Sequence, residues 1–285
     1  MKKKIAIVTE NNINSGNGHF KRMKGFFLYL KVKKEICKVF LLNKNYGLKS
    51  IKKFKPDLIV CDLKSYKNKK YSVLYKMNNC KIINIENYDN SNYDFNISVI
   101  DHNSKLPGKR VSGLNYAMIR PEITKKLTKK LTKINHKSIF VNLGSTESIK
   151  KIKELSLLLK GLSIKFNFIF ITKFYKHFNI MKRGQKFKYY APKFFLKYFN
   201  SSIINITNGG LTLIEALYLR KKIIIIPQTS YEKKFSNYLK KKTNNIDIGK
   251  RSINDKSINR LLKKKTKIVV DGLGYSRIYK VLSKF

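Results

Sequence analysis

Acidic residues are scarce in this chain. Its 285 residues hold 16 Asp plus Glu against 63 Lys plus Arg, a formal net charge of +47. Cysteine is scarce too: Cys37, Cys61 and Cys80 are odd in number and lack CxxC spacing. That gives a disulfide framework or a zinc site little support, and the three read as small core hydrophobes. Long apolar runs are missing. One of the longer ones, Ile223-Ile224-Ile225-Ile226, falls far short of the ~20 residues a membrane helix needs. The start, Met1-Lys2-Lys3-Lys4-Ile5-Ala6-Ile7-Val8, has none of the long apolar region of a signal peptide, so a cytoplasmic location is expected. Arginine is rare as well, 8 of the 63 basic residues. A nucleic-acid surface would cluster its charge and favour Arg for bidentate contacts. Here Lys is spread along the chain with abundant Asn, Ile, Tyr and Phe, all encoded by AT-rich codons, which points to compositional drift. No specific nucleic-acid partner is expected, although the positive field would weakly attract anionic ligands and surfaces.

What is present fits a globular protein, since 42% apolar content supports a core and the length suits one large or two ordinary domains. Short apolar, β-branched runs alternate with helical patterns. In the first half the strands are expected at 5–9, 37–42, 56–62, 81–86 and 95–100, with helices at 19–31 and 66–78. The stretch 104–137, with Pro107 and Pro121, loses strand character and forms the expected junction. The second half places strands at 138–145, 167–172, 202–207 and 222–227. Its helices fall at 148–160, 192–200, 211–219, 231–242 and 252–265, with a final one after Asp271. The pattern predicts an α/β fold of two doubly wound Rossmann-like domains, 1–135 and 136–285, around a cleft. The last helix could also pack back on the first domain.

Three strand-to-helix turns carry chemistry. Ser15-Gly16-Asn17-Gly18-His19-Phe20-Lys21-Arg22 follows the first strand, where glycines admit a ligand to the backbone and a helix start attracts anions. The run is not a dinucleotide fingerprint, because the third glycine of G-x-G-x-x-G would fall where this chain has a long basic residue. The partial positive charge of the helix start favours neutral imidazole at His19, the form a general base needs. The competing reading is a plain glycine turn with a solvent-facing histidine. In Asn208-Gly209-Gly210-Leu211-Thr212-Leu213-Ile214-Glu215 the turn could cradle a diphosphate and Glu215 a ribose diol. A capping box, Thr212 to Glu215, competes with that reading. Asn142-Leu143-Gly144-Ser145-Thr146-Glu147 offers small hydroxylated residues suited to phosphate, or an ordinary turn. Asp62 ends a buried strand, where an ionised group must face a cleft or find a partner. His102, His136 and His177 show no metal-ligand spacing.

Gly16-Asn17-Gly18-His19-Phe20-Lys21-Arg22, Pro56-Asp57-Leu58-Ile59-Val60-Cys61-Asp62, Gly113-Leu114-Asn115-Tyr116-Ala117-Met118-Ile119-Arg120-Pro121-Glu122, Asn142-Leu143-Gly144-Ser145-Thr146 and Asn208-Gly209-Gly210-Leu211-Thr212-Leu213-Ile214-Glu215-Ala216 follow one another in this order. Together they resemble the UDP-sugar hydrolases of pseudaminic acid biosynthesis. With the related spore-coat polysaccharide proteins, these are similar to MurG-type glycosyltransferases of GT-B fold. The resemblance implies a hydrolase releasing UDP from a UDP-linked 2,4-diacetamido-2,4,6-trideoxy sugar in nonulosonic acid or surface-polysaccharide synthesis, without cofactor or metal. By it, His19 activates the water, Tyr116 lies on the sugar side and Gly209 to Thr212 hold the diphosphate. Glu215 meets the ribose, and Gly16, Gly18, Arg22, Asp62, Ser145, Asn208 and Gly210 line the substrate. The chain departs from the family pattern at Leu63-Lys64-Ser65, Glu86-Asn87 and Tyr231-Glu232. A glycosyltransferase of the same fold, and a non-catalytic sugar-nucleotide or nucleic-acid binder, stand as alternatives.

Overall fold

The computed structural model describes residues 3–10, 18–42, 47–63, 74, 80–86, 93–100, 109–128, 135–144, 147–163, 165–181, 187–267 and 269–285. The chain divides into two compact units, Met1–Pro121 with Asp271–Phe285, and Glu122–Val270.

The first unit runs β1 (Lys4–Thr9), α1 (Gly18–Val32), β2 (Ile36–Leu41), α2 (Gly47–Phe54), β3 (Leu58–Asp62), β4 (Lys81–Ile85), β5 (Phe95–Ser98) and β6 (Lys109–Ser112). All six strands pair in parallel, in the order β2-β1-β3-β4-β5-β6. Parallel strands covered on both faces must be apolar on both, and β3 is buried at every position. Helix α1 covers one face through Met23, Phe26 and Leu30, spaced one helical turn apart, against Ile5, Ile7, Val60 and Ile83. Strand order reverses between β1 and β3, so the carboxyl ends of those strands, Thr9 and Asp62, flank the crevice where open α/β sheets bind ligands.

The second unit begins within α3 (Pro121–Thr128) and continues β7 (Asn135–Asn142), α4 (Ile149–Lys160), β8 (Asn167–Ile171), α5 (Tyr175–Met181), β9 (Phe187–Tyr190), α6 (Phe195–Ser201), β10 (Ser202–Thr207), α7 (Leu211–Tyr218), β11 (Lys222–Ile225), α8 (Ser230–Lys242), β12 (Ile246–Ile248) and α9 (Asp255–Lys263). Its parallel order, β12-β11-β10-β7-β8-β9, is that of a dinucleotide-binding sheet, with the reversal between β7 and β10. Asn142 and Thr207, partners in register, end those two strands. One face of the sheet closes over Ile139, Val141, Ile204, Ile206 and Phe168. The chain then returns at α10 (Gly274–Leu282) to the first unit, where Tyr275, Ile278 and Leu282 join the core beneath α1.

One expectation changes. The stretch 104–137 is not uniformly poor in structure: it carries β6, a 3-10 turn at Leu114–Tyr116 and α3, which Pro121 opens at the position where a missing N–H costs nothing. The helix expected at 66–78 falls mostly outside the described residues.

Candidate functional site

Each unit presents side chains at the reversal point of its own sheet. In the first, α1 begins directly above the carboxyl ends of β1 and β3, and its first turn faces Asp62. His19 Nδ1 lies 2.6 Å from Asp62 Oδ1. Arg22, one turn further along the helix, grips the same carboxylate with both arms of its fork: Nη2 donates to Oδ1 at 2.6 Å and Nε donates to Oδ2. Asp62 is enclosed, with 1% of its side chain exposed, while His19 keeps 22%. Burial alone would raise the Asp62 carboxyl, but the Arg22 guanidinium, with His19 beside it, holds it well below the usual carboxylate range. An ionised carboxylate only accepts, so the proton on the facing ring nitrogen sits on Nδ1. In the neutral ring the basic lone pair is then on Nε2. Arg22 Nη2, 3.2 Å from Nδ1, makes no hydrogen bond there, because both groups are donors.

In the second unit three loops meet at the ends of β7, β10 and β11. Gly144 adopts φ +70°, a left-handed conformation that favours glycine. A side chain there would crowd Asn208, whose Nδ2 lies 3.0 Å from the position a Cβ would take. Asn208 Nδ2 donates to Glu232 Oε1 at 2.8 Å, and the Gln228 backbone N–H donates to Glu232 Oε2 at 2.6 Å. Gly209 packs so closely on Glu232 that a Cβ would stand 2.6 Å from the Glu232 Cβ. Helix α7 opens at Gly210 with no side-chain cap, which leaves its N-terminus without the usual occupant. Glu147 bridges to the end of β8, accepting from the Lys173 N–H at 2.8 Å, and burial pushes its carboxyl above the ordinary value.

His19, Arg22 and Asp62 are thus brought into one hydrogen-bonded group, with Gly18 as the first residue of α1. Asn208, Gly209, Gly210 and Thr212 lie at the α7 entry, and Glu215 is fully buried within that helix. Tyr116 is half-buried in the 3-10 turn of the first unit. Gly16 and Ser145 lie outside the described residues. The capping box from Thr212 to Glu215 is corrected: Gly210 occupies the cap position and Thr212 is already inside the helix. The box spacing that the structure uses is Thr229 to Glu232. Thr229 Oγ1 accepts from the Glu232 N–H at 3.1 Å, and the Glu232 carboxylate reaches one residue beyond the cap, to Gln228. Glu232 was marked in the sequence only as a departure, and the Thr-x-x-Glu spacing was the signal for its role. Among the described residues no cluster of three His, Cys, Asp or Glu could hold a metal ion.

No protein-family model matches the chain, and no curated protein matches it. Solved structures do. MurG of Acinetobacter baumannii superposes with a TM-score of 0.66 at 12% identity, covering 99% of this chain and 100% of that one. A UDP-GlcNAc 2-epimerase of Methanocaldococcus jannaschii, crystallised with UDP-GlcNAc and UDP, gives 0.65 at 14% identity, covering 99% and 100%. The spinosyn forosaminyltransferase SpnP gives 0.64 at 10% identity, covering 100% and 95%. With the two six-stranded parallel sheets, this likeness shows that the chain has a GT-B fold of two Rossmann-like domains.

Proposed function

We propose that the chain hydrolyses a UDP-linked amino sugar, with His19 as general base and UDP as leaving group. The observation that carries the reading is the His19–Asp62 contact at the reversal point of the first sheet, since it fixes the tautomer a base requires. Asp62 holds Nδ1–H, and Nε2 takes a proton from water as the water oxygen attacks the anomeric carbon. The bond from that carbon to the β-phosphate oxygen breaks, and its electron pair leaves on UDP. UDP-sugar and water become free sugar, UDP and a proton.

Taken by itself, the second unit offers an anionic diphosphate the uncapped start of α7, where N–H groups beside Gly209 and Gly210 act as fixed dipoles. Neighbours of the same fold support a nucleotide of the uridine class, one of them holding UDP-GlcNAc and UDP. Glu215, enclosed in α7, meets a ribose only if binding opens its surroundings. The diacetamido trideoxy sugar, and a place in nonulosonic acid or surface-polysaccharide synthesis, rest on the motif resemblance.

A transferase reading has its own support, because MurG and SpnP share the fold and the same base could activate an acceptor hydroxyl. Thermal denaturation with UDP, ADP and GDP tests the common part. A ligand at 100 times its Kd adds about 2.7 kcal/mol, so UDP is expected to raise the melting temperature by several degrees and the purine diphosphates much less. Equal shifts for all three would overturn the UDP assignment. Product analysis then separates the readings, as a hydrolase yields free sugar at full rate without any acceptor.

A further inference from the structure

The C-terminal segment 271–285 reaches two separate parts of the first unit, the helix of the proposed base and the turn that the motif resemblance places on the sugar side. On one side it grips α1. Tyr275 lies in a notch that Gly25 leaves open, since a Cβ on Gly25 would collide with the Tyr275 hydroxyl. That hydroxyl donates to the backbone carbonyl of Arg22 at 3.2 Å. The Tyr275 ring stacks on Phe26 and Tyr29, with centroids 5.9 Å and 6.0 Å away. Tyr279 adds a hydrogen bond to Glu35 Oε1, just past the end of α1, at 2.7 Å.

On the other side the segment holds the 3-10 turn that carries Tyr116. Gly274 lies against the Ala117 carbonyl so closely that a side chain on it would collide with the backbone. Arg277 Nη1 donates to the Asn115 carbonyl at 2.9 Å. The guanidinium is aimed by Asp271, which accepts from Nη1 at 2.8 Å and from Nη2 at 2.6 Å. This arrangement needs a planar fork, which lysine lacks. It uses one of 8 arginines and one of 16 carboxylates in a chain whose composition drifts toward lysine.

We propose that segment 271–285 is a positioning element that sets α1, with His19 and Arg22, in register with the Tyr116 turn, and that Tyr275 and Arg277 are its positioning residues. The inference rests on the reading of this half-site as the place where the sugar reacts. Neither side chain touches the reacting atoms. Each fixes a backbone carbonyl, one in the helix of the base and one in the turn beside it.

The test uses Tyr275→Phe, which removes only a hydroxyl, and Arg277→Lys, which keeps the charge and removes the fork. With UDP-sugar as substrate, each variant is expected to lose about tenfold in kcat/KM, in line with the sensitivity of bound geometry to small displacements. The Kd for UDP should stay within about twofold of wild type, because the proposed nucleotide loops lie in the other unit. Hydrogen exchange gives a readout independent of turnover: protection should fall together in residues 22–30 and in 113–118, with the β7–β10 pair unchanged. The proposal is overturned if kinetics per folded molecule match wild type, or if only one of the two segments loses protection. Should wild type release no UDP from any UDP-sugar, the function reading fails, while the exchange result still decides whether the segment couples the two parts.

Discussion

Arg22 is one of the few arginines in a lysine-rich chain, and its surroundings explain why a lysine would not serve. The Asp62 carboxylate is enclosed and must satisfy both oxygens in place. A guanidinium does this with two parallel donors at fixed spacing, leaving Oδ1 to accept from His19 as well. Removing the negative charge leaves Arg22 uncompensated, a loss on the order of 3 kcal/mol for a buried pair. Asp62→Asn is therefore expected to lower stability by about that amount at pH 7. The folded-state pKa of Asp62 is depressed, so its contribution is complete above the unfolded carboxylate value of about 3.9 and is lost progressively as pH falls from there through the much lower folded-state value. Denaturant titrations at pH 7 and pH 3 should show the two proteins far apart at the first and the gap narrower by about 1 kcal/mol at the second, since pH 3 lies only about one unit below the unfolded value. A constant gap at both would refute the assignment of the charge. The group was partly legible in sequence: the strand-ending Asp62 and the helix-starting His19 both stood out, but that they contact each other depends on the β1–β3 register, which no local pattern contains.

At the scale of elements, β10 carries a polar residue where its position calls for an apolar one. Asn205 is fully buried between Phe140 and Ile223, its register partners, and neither atom of its amide finds a hydrogen bond. An unsatisfied buried amide costs about 1–3 kcal/mol, so Asn205→Val is expected to stabilise the protein by roughly that much, read from the shift of the denaturant midpoint at constant m. A destabilised variant would mean the amide has a partner, such as buried water. Such a residue also fits AT-rich drift. The strands legible from sequence were β1, β2, β3, β4, β5, β7, β8, β10 and β11, and all of them but β2 lie inside their sheets, where apolar, β-branched residues dominate. The missed strands β6, β9 and β12 are edge strands in the two sheets. With one neighbour and partial exposure an edge strand needs no apolar run, and Lys109-Arg110-Val111-Ser112 shows none. Helix α2, Gly47–Phe54, was missed because lysines dilute its short apolar stripe.

Across the whole molecule, the +47 charge bears little on the fold, which rests on two sheets with buried cores of aliphatic and aromatic side chains. Its value lies in contrast: against a background of interchangeable lysines, the positions that keep Arg, Asp or Glu in defined geometry are informative. Arg22 with Asp62 and Arg277 with Asp271 both belong to the first unit. The Glu232 brace belongs to the second, and its role required the β11–α8 loop to be seen beside Gly209. Fold class was legible because alternating strands and helices admit few architectures. The activity depends on which groups meet at the sheet reversal points, and sequence spacing alone leaves that open. The most direct measurement of the central claim is the initial rate of UDP release from a UDP-linked diacetamido sugar by wild type and by His19→Asn, with UDP affinity measured in parallel. The account predicts free sugar and UDP in equal amounts from wild type, a rate loss of about 10²–10⁴-fold in the variant and an unchanged Kd for UDP. Equal rates in the two proteins would contradict it.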